Sequence, residues 1–207
     1  METQNIASLF STILYSSKYT EDMTKEREFI DSLEYAPNSS GNEKSKDNYI
    51  LRRPELNLIN TFIKDRMKKF LRETMKVKND LVITQSWVNR NKKGTSHGEH
   101  RHPNSMMSGV FYFTATNITP IIFSKWDDWG IAFDYEQTNS KNARTATFQA
   151  VPGALVLFPS SLNHSVPKNT SDEVRISLSF NTFARDFLGD HDRLTYVKLG
   201  KENETSK

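Results

Sequence analysis

Apolar positions along the chain fall first into helical and then into strand-like spacing, and the change comes near Lys78. In "TEDMTKEREFIDSL", residues 20 to 33, Met23, Phe29, Ile30 and Leu33 lie on a loose helical stripe, with Thr20 as a cap and acids in the first turn. The stretch "RPELNLINTFIKDRMKKFLRETMK" sets Leu56, Ile59, Phe62, Ile63, Met67, Phe70 and Leu71 mostly three and four apart behind Pro54, a residue suited to a first turn. That spacing predicts the longest helix. Between the two, "YAPNSSGNEKSKDN" is polar and without periodicity, which predicts a mobile loop.

Beyond Lys78 the segments "LVITQSWVNRN", "SGVFYFTAT", "ITPIIFSK", "TATFQAV", "GALVLFP" and "VRISLSFNTF" are short, β-branched or aromatic, and separated by Gly, Pro, Asn or charged turns. They predict a mostly antiparallel β region over 81 to 184. Strands following two helices make the chain mainly β in an α+β arrangement, a sandwich or barrel with helices packed on one face. The expected organisation is a supporting region of strand and helices over 1–80, a β core over 81–185, and a C-terminal extension over 186–207 whose end "GKENETSK" is disordered. "DDWGIAFDYEQTNSKNART" reads as a long loop or flap.

Composition narrows the functions. At 207 residues there is room for one domain with an N-terminal extension, and a charged fraction of 26% beside 36% hydrophobic residues is ordinary for a globular chain. A net charge of +3 is too small to require a nucleic-acid partner. With no cysteine, disulfides, thiolate zinc sites and cysteine nucleophiles are excluded, and metal ligation is left to His, Asp and Glu. The first residues have no basic start, and their apolar run is broken by Ser and Thr. The expectation is therefore neither a secretory signal nor a membrane span, and a cytoplasmic location.

Chemistry concentrates in "SHGEHRHPNSMMSGVFYF", residues 96 to 113, where three of the five histidines fall within six residues. A lone imidazole is more often a satisfied core or surface group. On an extended segment, however, His100 and His102 share a side, and two ligands on one face can grip one ion. The other histidine of the β region is His164, in "GALVLFPSSLNHSVPKN". Three protein ligands leave positions open for substrate, as in non-heme Fe(II) oxygenases, where the set is usually two His and one carboxylate. Downstream, "DEVRISLSF" puts Arg175 and Ser177 on one strand face. Taken alone, the favoured reading of Arg175 is a surface ion pair with Asp172 or Glu173; inside a barrel, a dicarboxylic ligand would be its partner.

Together these residues resemble the Fe(II)- and 2-oxoglutarate-dependent oxygenase superfamily. The nearest likeness is to its small prolyl-hydroxylase-like group, common in bacteriophages and bacteria, through "HPNSxxSGVxY" and "LFPSxLxHxV…RISxSFN" over about residues 81 to 183. The resemblance implies a double-stranded β-helix (jelly-roll) core, Fe(II), a decarboxylated 2-oxoglutarate cosubstrate and hydroxylation of a C–H bond, prolyl among the candidates, in a small-molecule or peptide substrate. A phage-encoded member would act in the host cytoplasm. It assigns His164 as distal iron ligand, Arg175 as the clamp on the cosubstrate's distal carboxylate, Ser177 as its hydroxyl neighbour and Tyr112 as a further cosubstrate contact. Where the superfamily usually has His-x-Asp, this chain reads "HRH". That leaves either His100 and His102 with His164, which is preferred, or His97 and Glu99 as the proximal pair.

Trp87 reads as core packing, whereas Trp126 and Trp129 in "KWDDWG" are open to a binding role, and Asn89 and Asn91 could face a cavity. Two other classes compete. A cupin-type metal protein or isomerase would use the same barrel without 2-oxoglutarate, but the glutamate expected after the second histidine is missing and Ser161 stands where glycine is wanted. A metal-free structural β domain would leave the histidines exposed in a loop.

Overall fold

The computed structural model describes residues 11–39, 41–114, 119–125 and 134–199. In chain order the elements are β1 (Tyr15–Lys18), α1 (Thr24–Ser32), β2 (Tyr35–Pro37), β3 (Glu43–Ser45), α2 (Asn57–Lys69), β4 (Leu81–Asn91), β5 (His97–His100), β6 (Met107–Tyr112), β7 (Ile121–Ser124), β8 (Thr145–Phe148), β9 (Ala154–Pro159), β10 (Asn163–Val166), β11 (Arg175–Ala184), β12 (Phe187–Leu188) and β13 (Val197–Lys198). Seven strands form one sheet in the order β1-β9-β6-β11-β4-β3-β2, four form a second in the order β5-β10-β7-β8, and β12 pairs with β13. The named pairings are antiparallel. The two larger sheets enclose a double-stranded β-helix, as the sequence resemblance implied.

Period two explains why the central strands read as almost continuously apolar. On β11, Ile176, Leu178 and Phe180 turn outward into a core shared with Ile30, Ile59, Ile63 and Met67 of the helices. Arg175, Ser177 and Ser179 turn inward to a cavity between the sheets. On β6, Phe111 joins the helix-side core, while Val110 and Tyr112 pack inward with Ile121, Phe123, Val156 and Phe158. Ile30, Ile59 and Ile63 are fully buried, each contributing about 1.5–3 kcal/mol. A Cβ on Gly109 would lie 2.1 Å from the Phe180 ring, so glycine is what lets β6 pass beneath that residue.

The polar stretch after α1 is ordered, contrary to the mobile loop expected. Its β2–β3 hairpin extends the larger sheet from β4. Ser45 is fully buried, donating to Asp47 O at 2.7 Å and accepting from Val88 N at 3.0 Å. Side-chain-to-backbone bonds hold this hairpin, so no apolar period betrays it. α1 starts at Thr24, whose N–H and hydroxyl both donate to Asp22 Oδ1, so the acceptor at its start is Asp22 and not Thr20. Residues 134–144 form no helix or strand. The rest of the expected flap, with Trp126 and Trp129, lies outside the described residues, as does the tail 200–207. No described helix is long and apolar enough to cross a membrane.

Candidate active site

His100 on β5 and His164 on β10 are direct cross-strand partners. His102 follows just past β5, where its backbone N–H donates to Ser160 O at 2.9 Å. One ring nitrogen from each comes within 4.8 Å of the others. His100 Nδ1 lies 2.8 Å from Gly98 O and His164 Nδ1 3.0 Å from Leu162 O. A carbonyl oxygen only accepts, so both rings carry their proton on Nδ1 and keep Nε2 as a free lone pair. His102 Nδ1 lies 2.6 Å from Asn181 Oδ1, and its Nε2 is buried without a partner. Phe158 meets the His164 ring edge-on at 4.8 Å and fixes its plane.

Burial is the main cause of the acidity of the His164 and His102 rings. It pulls His164 down to about 3, helped by the neighbouring imidazoles, and it also lowers His102. A ring whose pKa lies below neutrality is uncharged at pH 7 and offers a lone pair, which is the ligand form.

His97 enters the same cavity by a route that period two does not foresee. The β5–β10 register runs His164↔His100 and Val166↔His97, so two residues, Gly98 and Glu99, oppose the single Ser165. This bulge turns His97 onto the face of His100, and the two rings stack at 4.3 Å. Burial, with the charges of His100, His102 and Arg175, takes His97 down to about 4. Glu99 is exposed, accepts from the Ser124 hydroxyl and lies outside the cavity. Of the alternative proximal pair, therefore, only His97 lines the cavity.

Arg175 is 2% exposed, which corrects the surface ion pair favoured on local sequence alone. Asp172 instead pairs with Lys93 at 2.8 Å, with its own side chain 91% exposed. β11 begins at Arg175 and turns it inward, leaving the two acids on the preceding loop. No carboxylate pairs with this guanidinium among the described residues. Its NH1 group donates to Ser177 Oγ at 3.2 Å and, at the limit, to Asn91 Oδ1 at 3.5 Å, and it lies over the Tyr112 ring at 5.0 Å.

The strand register builds this corner. Ser177 is opposite both Asn89 on β4 and Tyr112 on β6, and Arg175 is opposite Asn91. Among the described residues, Arg175 Nε, the Tyr112 hydroxyl and Asn91 Nδ2 are buried donors without partners, and Asn89 Oδ1 is a buried acceptor without one. Burial pushes the Tyr112 phenol above its ordinary value, against the pull of the Arg175 charge, so it stays a proton donor at neutral pH. Three idle donors around a cation fit a carboxylate.

Trp87 lines this cavity and stacks on His102 at 5.8 Å, which corrects its reading as core packing alone. Asn181 was also missed, although it continues the alternate stripe of Arg175, Ser177 and Ser179.

Residues 85–181 match the model of a protein family described as "Putative 2OG-Fe(II) oxygenase". Every residue of the cavity described above falls within this span. No curated protein matches the chain. Among solved structures, HygX from Streptomyces hygroscopicus, with nickel, 2-oxoglutarate and hygromycin B bound, is similar at 10% identity and TM-score 0.58, over 83% of this chain and 82% of that one. A prolyl-4-hydroxylase from Pseudomonas putida is similar at 13% identity and TM-score 0.56, over 84% and 94%. SnoN, described as a non-heme alpha ketoglutarate dependent epimerase from nogalamycin biosynthesis, is similar at 11% identity and TM-score 0.58, over 83% and 78%. At these identities the likeness is one of fold. The resemblance to the Fe(II)- and 2-oxoglutarate-dependent oxygenases therefore holds in motif and in architecture.

Proposed function

We propose that the chain is an Fe(II)- and 2-oxoglutarate-dependent dioxygenase that hydroxylates a C–H bond of a small-molecule or peptide substrate, a prolyl residue among the candidates. Succinate and carbon dioxide are the co-products, and residues 81–185 are the catalytic core. The observation that carries this reading is the buried Arg175, without a carboxylate partner among the described residues, sharing one cavity with the three-histidine cluster. A cupin-type metal protein has no use for that arginine. A free charge held in the interior costs several kcal/mol, and a dicarboxylate cosubstrate offsets that cost.

The donor set suits both groups. His100, His102 and His164 would hold iron through imidazole nitrogens and leave coordination positions open for the cosubstrate. Bound Fe(II) would activate O2, the oxidant, with 2-oxoglutarate supplying two electrons as it is decarboxylated, so that one oxygen atom goes into succinate and the other into the C–H bond of the substrate. Arg175 would take the distal carboxylate, with the Ser177 and Tyr112 hydroxyls as neutral donors beside it. Val110, Ile121, Phe158 and Val166 line the cavity with apolar surface and limit water there. Trp87 forms the wall against His102.

The test is turnover of the cosubstrate. Tag-free protein supplied with Fe(II) in air should convert 2-oxoglutarate to succinate, more slowly in Arg175→Lys and slowest in Arg175→Ala when 2-oxoglutarate is limiting. Tight Fe(II) binding with no 2-oxoglutarate affinity and no succinate would move the assignment to a cupin-type protein.

A further inference from the structure

A chain of hydroxyl groups leads to His102 and bears on which nitrogen of that ring is free. Ser160, just past β9, has its Oγ 2.7 Å from Ser105 Oγ and 2.8 Å from Ser108 Oγ. Ser108 Oγ is 3.0 Å from Asn181 Oδ1, which is 2.6 Å from His102 Nδ1. Ser108 is 1% and Ser160 0% exposed, so bulk water does not complete their hydrogen bonds.

Each hydroxyl has one proton, so the chain can run in only two senses. In the first, Ser108 donates to the carboxamide oxygen of Asn181, which also accepts from His102 Nδ1–H, and Ser160 shares its single proton between Ser108 and Ser105. In the second, the amide is turned over, and its NH2 donates to Ser108 and to His102 Nδ1. The second sense forces the ring proton onto Nε2, the atom that is buried without a partner, and leaves an unsatisfied donor there. The Ser160–Ser105 contact of 2.7 Å and the Ser105 contacts to Met107 O and Thr182 O are available in either sense and do not discriminate. With His102 a metal ligand through its unpartnered Nε2, the first sense is the one that leaves that lone pair free.

We infer that Asn181 is a positioning residue for the metal centre. Its carboxamide oxygen, oriented by Ser105, Ser160 and Ser108, keeps the proton of His102 on Nδ1 and its Nε2 lone pair available beside His100 and His164. The inference rests on the reading of the three histidines as metal ligands. It gives the serines of "HPNS", "SGV" and "FPS" and the asparagine of "SFN" one shared task, which the local sequence around each does not suggest.

The tautomer is read directly by long-range 1H–15N NMR of full-length, histidine-labelled, metal-free protein. Zn(II) serves as a diamagnetic probe of affinity, by competition with a chromophoric chelator. His102 should be the Nδ1–H form in the parent and in Asn181→Asp, which keeps an acceptor at the same place. In Asn181→Leu it should shift toward Nε2–H, with Zn(II) affinity lower by about 10- to 100-fold, the usual loss when a ligand's outer hydrogen-bond partner is removed. Asn181→Asp should bind Zn(II) close to the parent value, and Ser108→Ala should lie between it and Asn181→Leu. A parent that binds Zn(II) but holds His102 as Nε2–H in the metal-free state, or an Asn181→Leu protein with parental affinity and tautomer, would overturn the positioning role alone. A parent with the Nδ1–H form that binds no Zn(II) would sink the metal reading itself, and this role with it.

Discussion

Replacing Arg175 by methionine separates a binding residue from a structural one. Arg175 is 2% exposed with no carboxylate partner among the described residues, and holding such a charge in the interior costs several kcal/mol. Its bond to Ser177 at 3.2 Å returns part of that, about 1.5–3 kcal/mol for a hydrogen bond to a charged group. Its place over Tyr112 at 5.0 Å returns less, about 0.5–2 kcal/mol. These terms nearly cancel, so Arg175→Met without ligand should be as stable as the parent or more so, as when buried charges give way to apolar side chains. Ligand response should change sharply. At 2-oxoglutarate 100 times its dissociation constant the parent gains about 2.7 kcal/mol, or roughly 5–10 °C in Tm for a chain of this size. Losing the charge-assisted contact weakens binding about 10- to 150-fold, which cuts that gain to between about 1.4 and 0.3 kcal/mol. Thermal and urea denaturation of both proteins, with and without 2-oxoglutarate and in the presence of Ni(II) as an inert ion, reads all of this. A loss of about 3–5 kcal/mol in ligand-free Arg175→Met, the usual result of breaking a buried pair, together with an undiminished ligand shift, would refute the reasoning.

Removing any one ligand from the cluster, by His164→Ala, His100→Ala or His102→Ala, should abolish tight Fe(II) binding while circular dichroism stays parental, because both apolar cores lie outside the triad. His97→Ala and Glu99→Ala should retain the metal; if calorimetry instead finds these two defective and His100→Ala and His102→Ala competent, the ligand set is the His97 and Glu99 one. The metal-free protein should lose stability in acid: His97 is held at about 4 against an ordinary 6.5, so the unfolded chain takes up the proton first. Stability is then full above about pH 6.5, falls as the pH drops toward 4, and should fall less steeply in His97→Gln, as read from urea midpoints at a series of pH values. Gly109→Ala puts a Cβ 2.1 Å from the Phe180 ring and should cost about 1–3 kcal/mol or more by overpacking, measured by chemical denaturation.

The elements legible in the sequence are those whose apolar pattern is undiluted. The segment read as the first strand of the β region matches β4 end to end, and the stripe from Leu56 to Leu71 is the helix that covers the larger sheet. What the pattern hides is strand built from chemistry. β5 reads "HGEH" and β10 reads "NHSV", four residues each, with imidazoles on the inner face where apolar residues would have signalled a strand. The burial of Arg175 was equally invisible locally, since two acids lie just before it and only the turn into β11 decides that they stay outside. His97 needed a bulge, and a shift of one residue in register moves a side chain to the opposite face. Asn181, by contrast, was within reach, two residues beyond Ser179 on a stripe already recognised at Arg175 and Ser177.

The most direct test of the central claim is an anaerobic titration of Fe(II)-loaded, tag-free protein with 2-oxoglutarate, followed by visible absorption. Chelation of an iron held by His100, His102 and His164 should produce a weak metal-to-ligand charge-transfer band that saturates with one equivalent of 2-oxoglutarate. The band should be absent in His164→Ala and should need far more 2-oxoglutarate in Arg175→Met. A protein that binds one Fe(II) yet gives no such band at any 2-oxoglutarate concentration would contradict the account.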